Sequence, residues 1–176
     1  MKVSDWIVSE LVRLEVKYVF TLPGGFSSHL NDSIAHSALT PVYMLHESGA
    51  AFAACGYAQY TGGLAVLCVT SGPGCTNALT GVASAWDDSI PLLVISGEAR
   101  LPHIEARKNY QLRQGGPQDV DINRIARPIV KYINVAENGE GVKHILEHAV
   151  RFALEPRRGP AWLIVPLDVQ AMEMEL

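Results

Sequence analysis

The sequence predicts an α/β fold: a doubly wound, mostly parallel six-stranded sheet with helices on both faces. Short apolar segments alternate with helical patterns along the whole chain, which is typical of a parallel sheet. Two of these segments, "LAVLCVT" and "PLLVIS", are apolar throughout, as expected for strands covered on both faces. No internal repeat or linker interrupts the alternation, and we expect residues 1–176 to form a single domain.

The first part of the chain predicts two strands and three helices. Apolar residues at helical spacing predict a first helix that Ser4 caps. The strand "KYVFTL" follows and stops at "PGG", residues 23–25. A helix in "SSHLNDSIAHS" and a strand in "PVYML" come next. The third helix starts at Glu47 and is ended by Gly62 and Gly63.

The remainder predicts four strands. "LAVLCVT" leads through the turn "SGPG" into the helix "CTNALTGVASAW", and "PLLVIS" follows. Residues 97–119 are predicted to be irregular, and their length indicates a functional loop or a partner surface. The strand "KYINV", a helix from about Gly141 to Leu154 and the strand "AWLIVP" complete the pattern.

Composition and charge argue against a nucleic-acid-binding or membrane-spanning protein. A net charge of -4 argues against a nucleic-acid surface, and no apolar run reaches membrane-spanning length. The N-terminus does not resemble a signal peptide. Cys55, Cys68 and Cys75 form no C-x-x-C pair, which favours buried thiols in a reducing compartment. The predicted location is cytoplasmic.

Three notable stretches fall at the carboxyl ends of predicted strands, where open α/β sheets bind ligands. They are "PGG", the pair His46 and Glu47, and "SGPG". The last lacks the final glycine of a dinucleotide fingerprint, and no P-loop sequence occurs. Taken alone, "SGPG" favours a tight strand-to-helix turn.

Two other candidate sites have simpler explanations. His144 and His148 are four residues apart on a predicted helix, where a solvated face is favoured over a metal pair. Asp87 and Asp88 are adjacent and would end a helix rather than form a catalytic pair.

Glu47 allows two interpretations. A carboxylate at a helix start is stabilised by the helix dipole and needs no further role. Against this, Glu47 follows a strand end and heads a helix of small residues, namely Ala50, Ala51, Ala53, Ala54, Gly56 and Ala58. Such residues let another helix pack closely, which predicts a subunit or domain interface and favours a dimer core.

Several segments together resemble a known family. "VFTLPGG", "HESGAAFAACGYAQYTG", "VTSGPGCTNALTGVASAWDDSIPLLVISGEAR" and "GPAWLIVPLDVQ" are similar to the N-terminal pyrimidine-binding domain of thiamine-diphosphate-dependent enzymes, acetolactate synthase-like proteins above all. The similarity runs from about Ser4 to Gln170.

The resemblance implies a set of site residues. In the family, the glutamate that matches Glu47 hydrogen-bonds the aminopyrimidine ring of the cofactor, and the glutamine that matches Gln118 lies near the substrate. The implied set is catalytic Glu47 and Gln118, with cofactor-binding Pro23, Gly24, Gly25, Glu47, Pro73 and Asn77. Around Gln118 the chain departs from the family's F-Q-E-x-D stretch, because Pro117 replaces the aromatic residue and Asp119 the glutamate.

The implied function is that of a pyrimidine-binding subunit or domain of a carboligase or decarboxylase, a transferase or lyase acting on a 2-oxo acid. Thiamine diphosphate is the implied cofactor, and the ligands of its Mg²⁺ are expected on a partner diphosphate-binding domain, because this chain has no G-D-G sequence. The chain, as a split subunit or a fragment, would join a hetero-oligomer and be inactive without that partner. A non-catalytic assembly or regulatory module and an unrelated nucleotide-binding protein remain as alternatives.

Overall fold

A computed structural model of the chain describes residues 1–174. It contains six strands: β1 (Tyr18–Thr21), β2 (Thr40–Tyr43), β3 (Ala65–Val69), β4 (Leu92–Glu98), β5 (Tyr132–Val135) and β6 (Pro160–Pro166). The α-helices are α1 (Val3–Arg13), α2 (Ser28–Ala35), α3 (Glu47–Thr61), α4 (Pro73–Asp87), α5 (Leu101–Asn109), α6 (Ile122–Ala126), α7 (Gly139–Leu154) and α8 (Leu167–Ala171). Short 3-10 helices cover Gly25–Ser27 and Arg127–Ile129.

All six strands belong to one sheet in the order β2-β1-β3-β4-β6-β5, and every neighbouring pair is parallel. The predicted fold class is therefore confirmed. Because the strands are parallel, their carboxyl ends all meet at one edge of the sheet, which is where ligands bind in such folds.

Helices cover both faces of the sheet. Alternate residues of β3 show this, because Val66 and Cys68 belong to one apolar cluster while Ala65, Leu67 and Val69 belong to the other. Helices α1, α2, α7 and α8 supply the first cluster, and α3, α4 and α6 supply the second. The unbroken apolar runs at β3 and β4 follow directly from this double coverage.

The last strand lies inside the sheet. β6 pairs with β4 along its whole length and with β5 on its other side. Trp162 at its centre is fully buried and donates its indole N–H to the Oγ of Ser96, at 2.8 Å.

The start of the first helix differs from the prediction. The helix begins at Val3 after Lys2, so Ser4 is not its cap. Ser4 is fully buried instead, and its hydroxyl accepts a hydrogen bond from Ser33 on α2 at 2.9 Å. A serine near the start of a helix can either cap the helix or form a buried hydrogen bond to another helix, and the local sequence is the same in both cases.

The segment 97–119 was predicted to be irregular, and in part this is wrong, because α5 lies within it. Its start is stabilised from a distant part of the chain: Asp168 on α8 accepts a hydrogen bond from the backbone N–H of Leu101, at 3.1 Å. A cap that comes from 67 residues away leaves no local signal.

The small residues of α3 pack within the chain. Ala50, Ala51 and Ala54 are fully buried, and α3 lies directly against α4. A Cβ added at Gly81 of α4 would collide with the Cβ of Ala51. For these residues the predicted subunit interface is wrong, because the helix that they let approach is α4 of the same chain.

Among the helices described for residues 1–174, none has both the length and the apolar character needed to cross a membrane.

Candidate active site

Glu47 is the first residue of α3, and three residues separate it from the end of β2. The residue before it, His46, is the N-cap, and its ring accepts a hydrogen bond from the backbone N–H of Ser48 at 3.1 Å. The cap fixes the start of the helix, so the carboxylate of Glu47 is held at the carboxyl edge of the sheet. Only 7% of Glu47 is exposed.

One oxygen of Glu47 is engaged by a predicted site residue. Asn77 on α4 donates its side-chain N–H to Oε2 of Glu47, at 3.0 Å. No Lys, Arg or His of the described residues forms an ion pair with Glu47. A buried carboxylate without a cation needs hydrogen-bond donors or a proton.

The other oxygen, Oε1, accepts no hydrogen bond from the described residues, and a glycine packs beside it. A Cβ at Gly74, in the first turn of α4, would lie 3.3 Å from Oε1 and 2.7 Å from Cγ2 of Thr70. The "SGPG" turn therefore brings α4 close to Glu47, and Gly74 places no side chain between them.

The side chain of Thr70 contacts both the "PGG" loop and the "SGPG" turn. The Cα of Gly24 packs on its side chain so closely that an added Cβ would lie 2.5 Å from Thr70 Cβ. The backbone N–H of Phe26 donates to Thr70 Oγ1 at 3.2 Å. The "PGG" loop, the "SGPG" turn and Glu47 thus meet at one place, as their positions at strand ends predicted.

Gln118 reaches the same edge through its backbone. Gly72 has a positive φ of 58°, and a Cβ there would collide with the carbonyl oxygen of Gln118. Gln118 itself has a positive φ of 54°, and its side chain is exposed. The contact places Gln118 beside the turn that leads into α4.

Asp119 explains one departure from the family's stretch. Its side chain is buried, accepts a hydrogen bond from Gly115 N–H at 2.8 Å and lies 3.0 Å from Arg107 Nε. The Arg107 contact is at ion-pair distance but is not aligned as a hydrogen bond. The shorter acid anchors the loop that carries Gln118.

The other predicted site residues lie at this edge without contacting Glu47 through hydrogen bonds. Pro23, Gly25 and Pro73 are exposed, and a Cβ at Gly25 would meet no other atom within 4 Å. They form the open side of the site.

Comparison with known proteins identifies the family of the chain. Residues 1–125 match the family model described as "Thiamine pyrophosphate enzyme, N-terminal TPP binding domain". The chain belongs to this family. Its six-stranded parallel sheet with helices is consistent with such a domain, and the resemblance predicted from the sequence is confirmed.

Curated relatives are acetolactate synthases. The chain is 35% identical over 167 residues to acetolactate synthase isozyme 3 large subunit of Escherichia coli, with 94% of this chain and 28% of the relative covered. It is 33% identical over 176 residues to the isozyme 2 large subunit of the same organism, covering 100% and 31%. The large subunit of Corynebacterium glutamicum is 35% identical over 170 residues, covering 96% and 26%. The chain therefore spans less than a third of the length of these relatives.

Glu98 is an acidic residue of this thiamine-pyrophosphate-enzyme domain that the sequence analysis missed. It ends β4 at the same edge of the sheet, and only 3% of it is exposed. Burial raises its pKa to about 7, the N–H of Ala99 opposes this, and the charge of Asp119 adds to it. The available signal was an acid directly after an apolar strand, the same pattern that singled out Glu47.

Proposed function

We propose that the chain supplies the pyrimidine-binding half of a thiamine-diphosphate-dependent carboligase or decarboxylase that acts on a 2-oxo acid. The family membership supports the cofactor, and the acetolactate synthase relatives support the class of substrate. The observation that carries the proposal is the buried carboxylate of Glu47, held by Asn77 on one oxygen and left free on the other.

The residues present fit the cofactor's aminopyrimidine ring. A flat ring with hydrogen-bonding nitrogens needs a polar partner in an otherwise apolar slot. Oε1 of Glu47 provides the polar partner, and Gly74 places no side chain beside it. In the same turn the hydroxyl of Ser71 is buried and has no hydrogen-bond partner among the described residues.

Glu47 is proposed to hold a proton at Oε1 and exchange it with a ring nitrogen of the cofactor. Thiamine diphosphate supplies the carbon nucleophile that attacks the 2-oxo acid, and the protein orients and tunes it. The hydrogen bond from Asn77 fixes the rotamer of Glu47, so that the proton-bearing oxygen stays at the open side of the site.

Gln118 is proposed to contact the substrate. Its side chain is exposed at the carboxyl edge, and its backbone is fixed by the close contact with Gly72 and by the anchored Asp119. A side-chain amide can both donate to a carboxylate and accept from a hydroxyl, which suits a 2-oxo acid and its products.

A partner domain is proposed to hold the diphosphate and its Mg²⁺. Within residues 1–174 no group of three or more His, Cys, Asp or Glu side chains could hold a metal ion. The outer sides of α3 and α4 offer a surface for the partner, because Phe52, Tyr60 and Trp86 are exposed there. Residues 1–176 are proposed to act as one pyrimidine-binding domain in such an assembly.

The test is the exchange of the cofactor's C2 proton for deuterium, measured in the assembly purified with this chain from its native source. Glu47→Gln keeps the size and the bond from Asn77 but cannot exchange a proton with the ring. We expect exchange to slow by about 10²–10⁴-fold while folding and assembly are retained. Glu105→Gln, an exposed acid on α5, is the control and should exchange at the wild-type rate.

The chain without its partner is the second control and should give no enhanced exchange. Wild-type exchange in Glu47→Gln would remove the catalytic role of Glu47. The alternative, a non-catalytic assembly or regulatory module that retains the fold, predicts no exchange above the free cofactor in either form of the assembly.

A further inference from the structure

A second concave site lies at the same edge of the sheet, beyond β4, β5 and β6. We call it the β4–β6 cavity, and its volume is about 1110 Å³. Its floor includes Glu98, Val135 and Ile164, which lie at or near the ends of these three strands. Helix α5, α6 and the segment between them form its walls.

The position of the cavity is explained by the topology. The chain passes from β4 to the edge strand β5 and then returns to place β6 between them. A crevice at the carboxyl ends is expected where the strand order departs from the chain order. The site at Glu47 lies at the other such point, between β1 and β3, so the two sites use different strands.

The charges that line the cavity are unevenly compensated. Arg107 is paired with two acids, since its Nε lies 3.0 Å from Asp119 and its Nη1 lies 3.0 Å from Asp121. Lys108, Arg113 and Arg124 have no ion pair with any described residue. Three cations without an ion pair thus line one cavity, whose lining holds four basic and three acidic side chains in all, Glu98 among them.

Beneath the cations the lining is apolar. Ile104 and Ile122 are buried residues in the walls of the cavity, and the buried Ile164 lies at its floor. A cavity with an apolar interior and a few converging charged groups is the usual form of a small-molecule site.

We propose that the β4–β6 cavity binds a small organic anion, with its carboxylate or phosphate held by Lys108, Arg113 and Arg124 and its apolar body against Ile104, Ile122 and Ile164. The cavity shares neither Glu47 nor Asn77 with the proposed cofactor site, although Asp119 in its lining adjoins Gln118. Guanidinium groups bind both carboxylates and phosphates in bidentate fashion, so the rim accepts either group.

The test is a titration of the ¹⁵N-labelled chain followed by amide chemical shifts. Phenylacetate and phenyl phosphate carry the anion on an apolar body, and neither has a 2-oxo group that the Glu47 site would recognise. Benzyl alcohol has the apolar ring but no anionic group, and inorganic phosphate has the anionic group but no apolar ring. We expect the first two probes to shift amides within residues 104–124 at concentrations below about 10 mM, and the other two to bind at least about tenfold more weakly.

Arg113→Gln and Arg124→Gln should each lower the affinity of the chain for phenylacetate and phenyl phosphate by about fivefold or more. Lys17→Gln, an exposed cation remote from the cavity, is the matched control and should bind as the wild type does. Preserved shifts elsewhere in the spectrum establish that the variants fold. A preference between phenylacetate and phenyl phosphate identifies the anionic group.

Three results would overturn the proposal: no shifts in residues 104–124, equal binding of benzyl alcohol, or unchanged affinity in both arginine variants. Equal binding of benzyl alcohol would instead favour an apolar surface that another protein segment covers. None of these results depends on Glu47, so they leave the proposed function untouched.

Discussion

Glu98 shows how a single buried acid makes stability depend on pH. Its pKa in the folded chain is raised from 4.5 to about 7, so the folded state favours the protonated form. Its contribution is present at low pH and is lost as the pH rises from 4.5 through about 7. Replacing it by a residue that cannot ionise should therefore stabilise the chain above neutral pH.

We predict that Glu98→Gln has wild-type stability near pH 4.5 and exceeds it at pH 8 by up to about 3 kcal/mol. The amide keeps the oxygen that accepts from Ala99 N–H, so the local hydrogen bond survives. Urea unfolding at a series of pH values measures the difference. The exposed Glu105→Gln is the control, and a difference for Glu98→Gln that does not change with pH would contradict the prediction.

Site residues could be predicted from the sequence where they belong to a recognisable motif. Glu47 and Asn77 were both singled out from the sequence, and the structure joins them by a hydrogen bond. Thr70 was not, although Gly24, Phe26 and Gly74 all contact it. A threonine that ends a strand is common, and its role arises only when two loops from separate strands pack on it.

At the level of elements, the packing of α3 on α4 depends on Gly81. The glycine lets the two helices approach until Ala51 lies against the backbone of α4. Added volume at such a contact forces the helices apart, which typically costs about 1–3 kcal/mol. The small side chains of α3 are thus explained by the fold of this chain.

We predict that Gly81→Ala lowers the free energy of unfolding by about 1–3 kcal/mol, measured by chemical denaturation. Gly56→Ala is the matched control, because Gly56 is exposed within α3 and a Cβ there meets nothing within 4 Å. It should raise the stability by about 0.5–1 kcal/mol through helix propensity. Adding Ala51→Gly to Gly81→Ala should recover part of the loss, and equal effects of the two glycine variants would contradict close packing.

Elements were predictable to the extent that their signals are local. All six strands overlap the segments predicted for them, and β3, β4 and β6 are largely apolar because they are buried along their whole length. Helix α5 was missed, since the carboxylate that accepts from its first N–H is the distant Asp168 and the packing of its apolar residue Ile104 is tertiary. The small residues on α3 were assigned to a subunit or domain interface because their spacing reveals a close contact but not the identity of the contacting element.

At the level of the whole molecule, the fold class followed from the sequence, but the strand order did not. Nothing in the local sequence says that β6, the last strand, lies between β4 and β5. The order decides where the carboxyl ends leave crevices, and hence where the β4–β6 cavity lies. It also means that residues beyond 125, where the family match ends, complete the sheet that carries Glu47.

We predict that a chain ending after Val130 does not fold, although it retains Glu47, Asn77 and Gln118. It lacks β6, so β4 becomes an exposed edge and both apolar clusters lose buried residues such as Trp162, Leu163 and Ile164. Each of these side chains contributes about 1.5–3 kcal/mol by burial, against a total stability of about 5–15 kcal/mol for a typical domain. A chain ending after Ala171 keeps all six strands and is the control, which should unfold cooperatively in circular dichroism. Cooperative unfolding and protease resistance of the shorter chain would show that residues 1–130 form a domain by themselves, contrary to the single unit proposed for the whole chain.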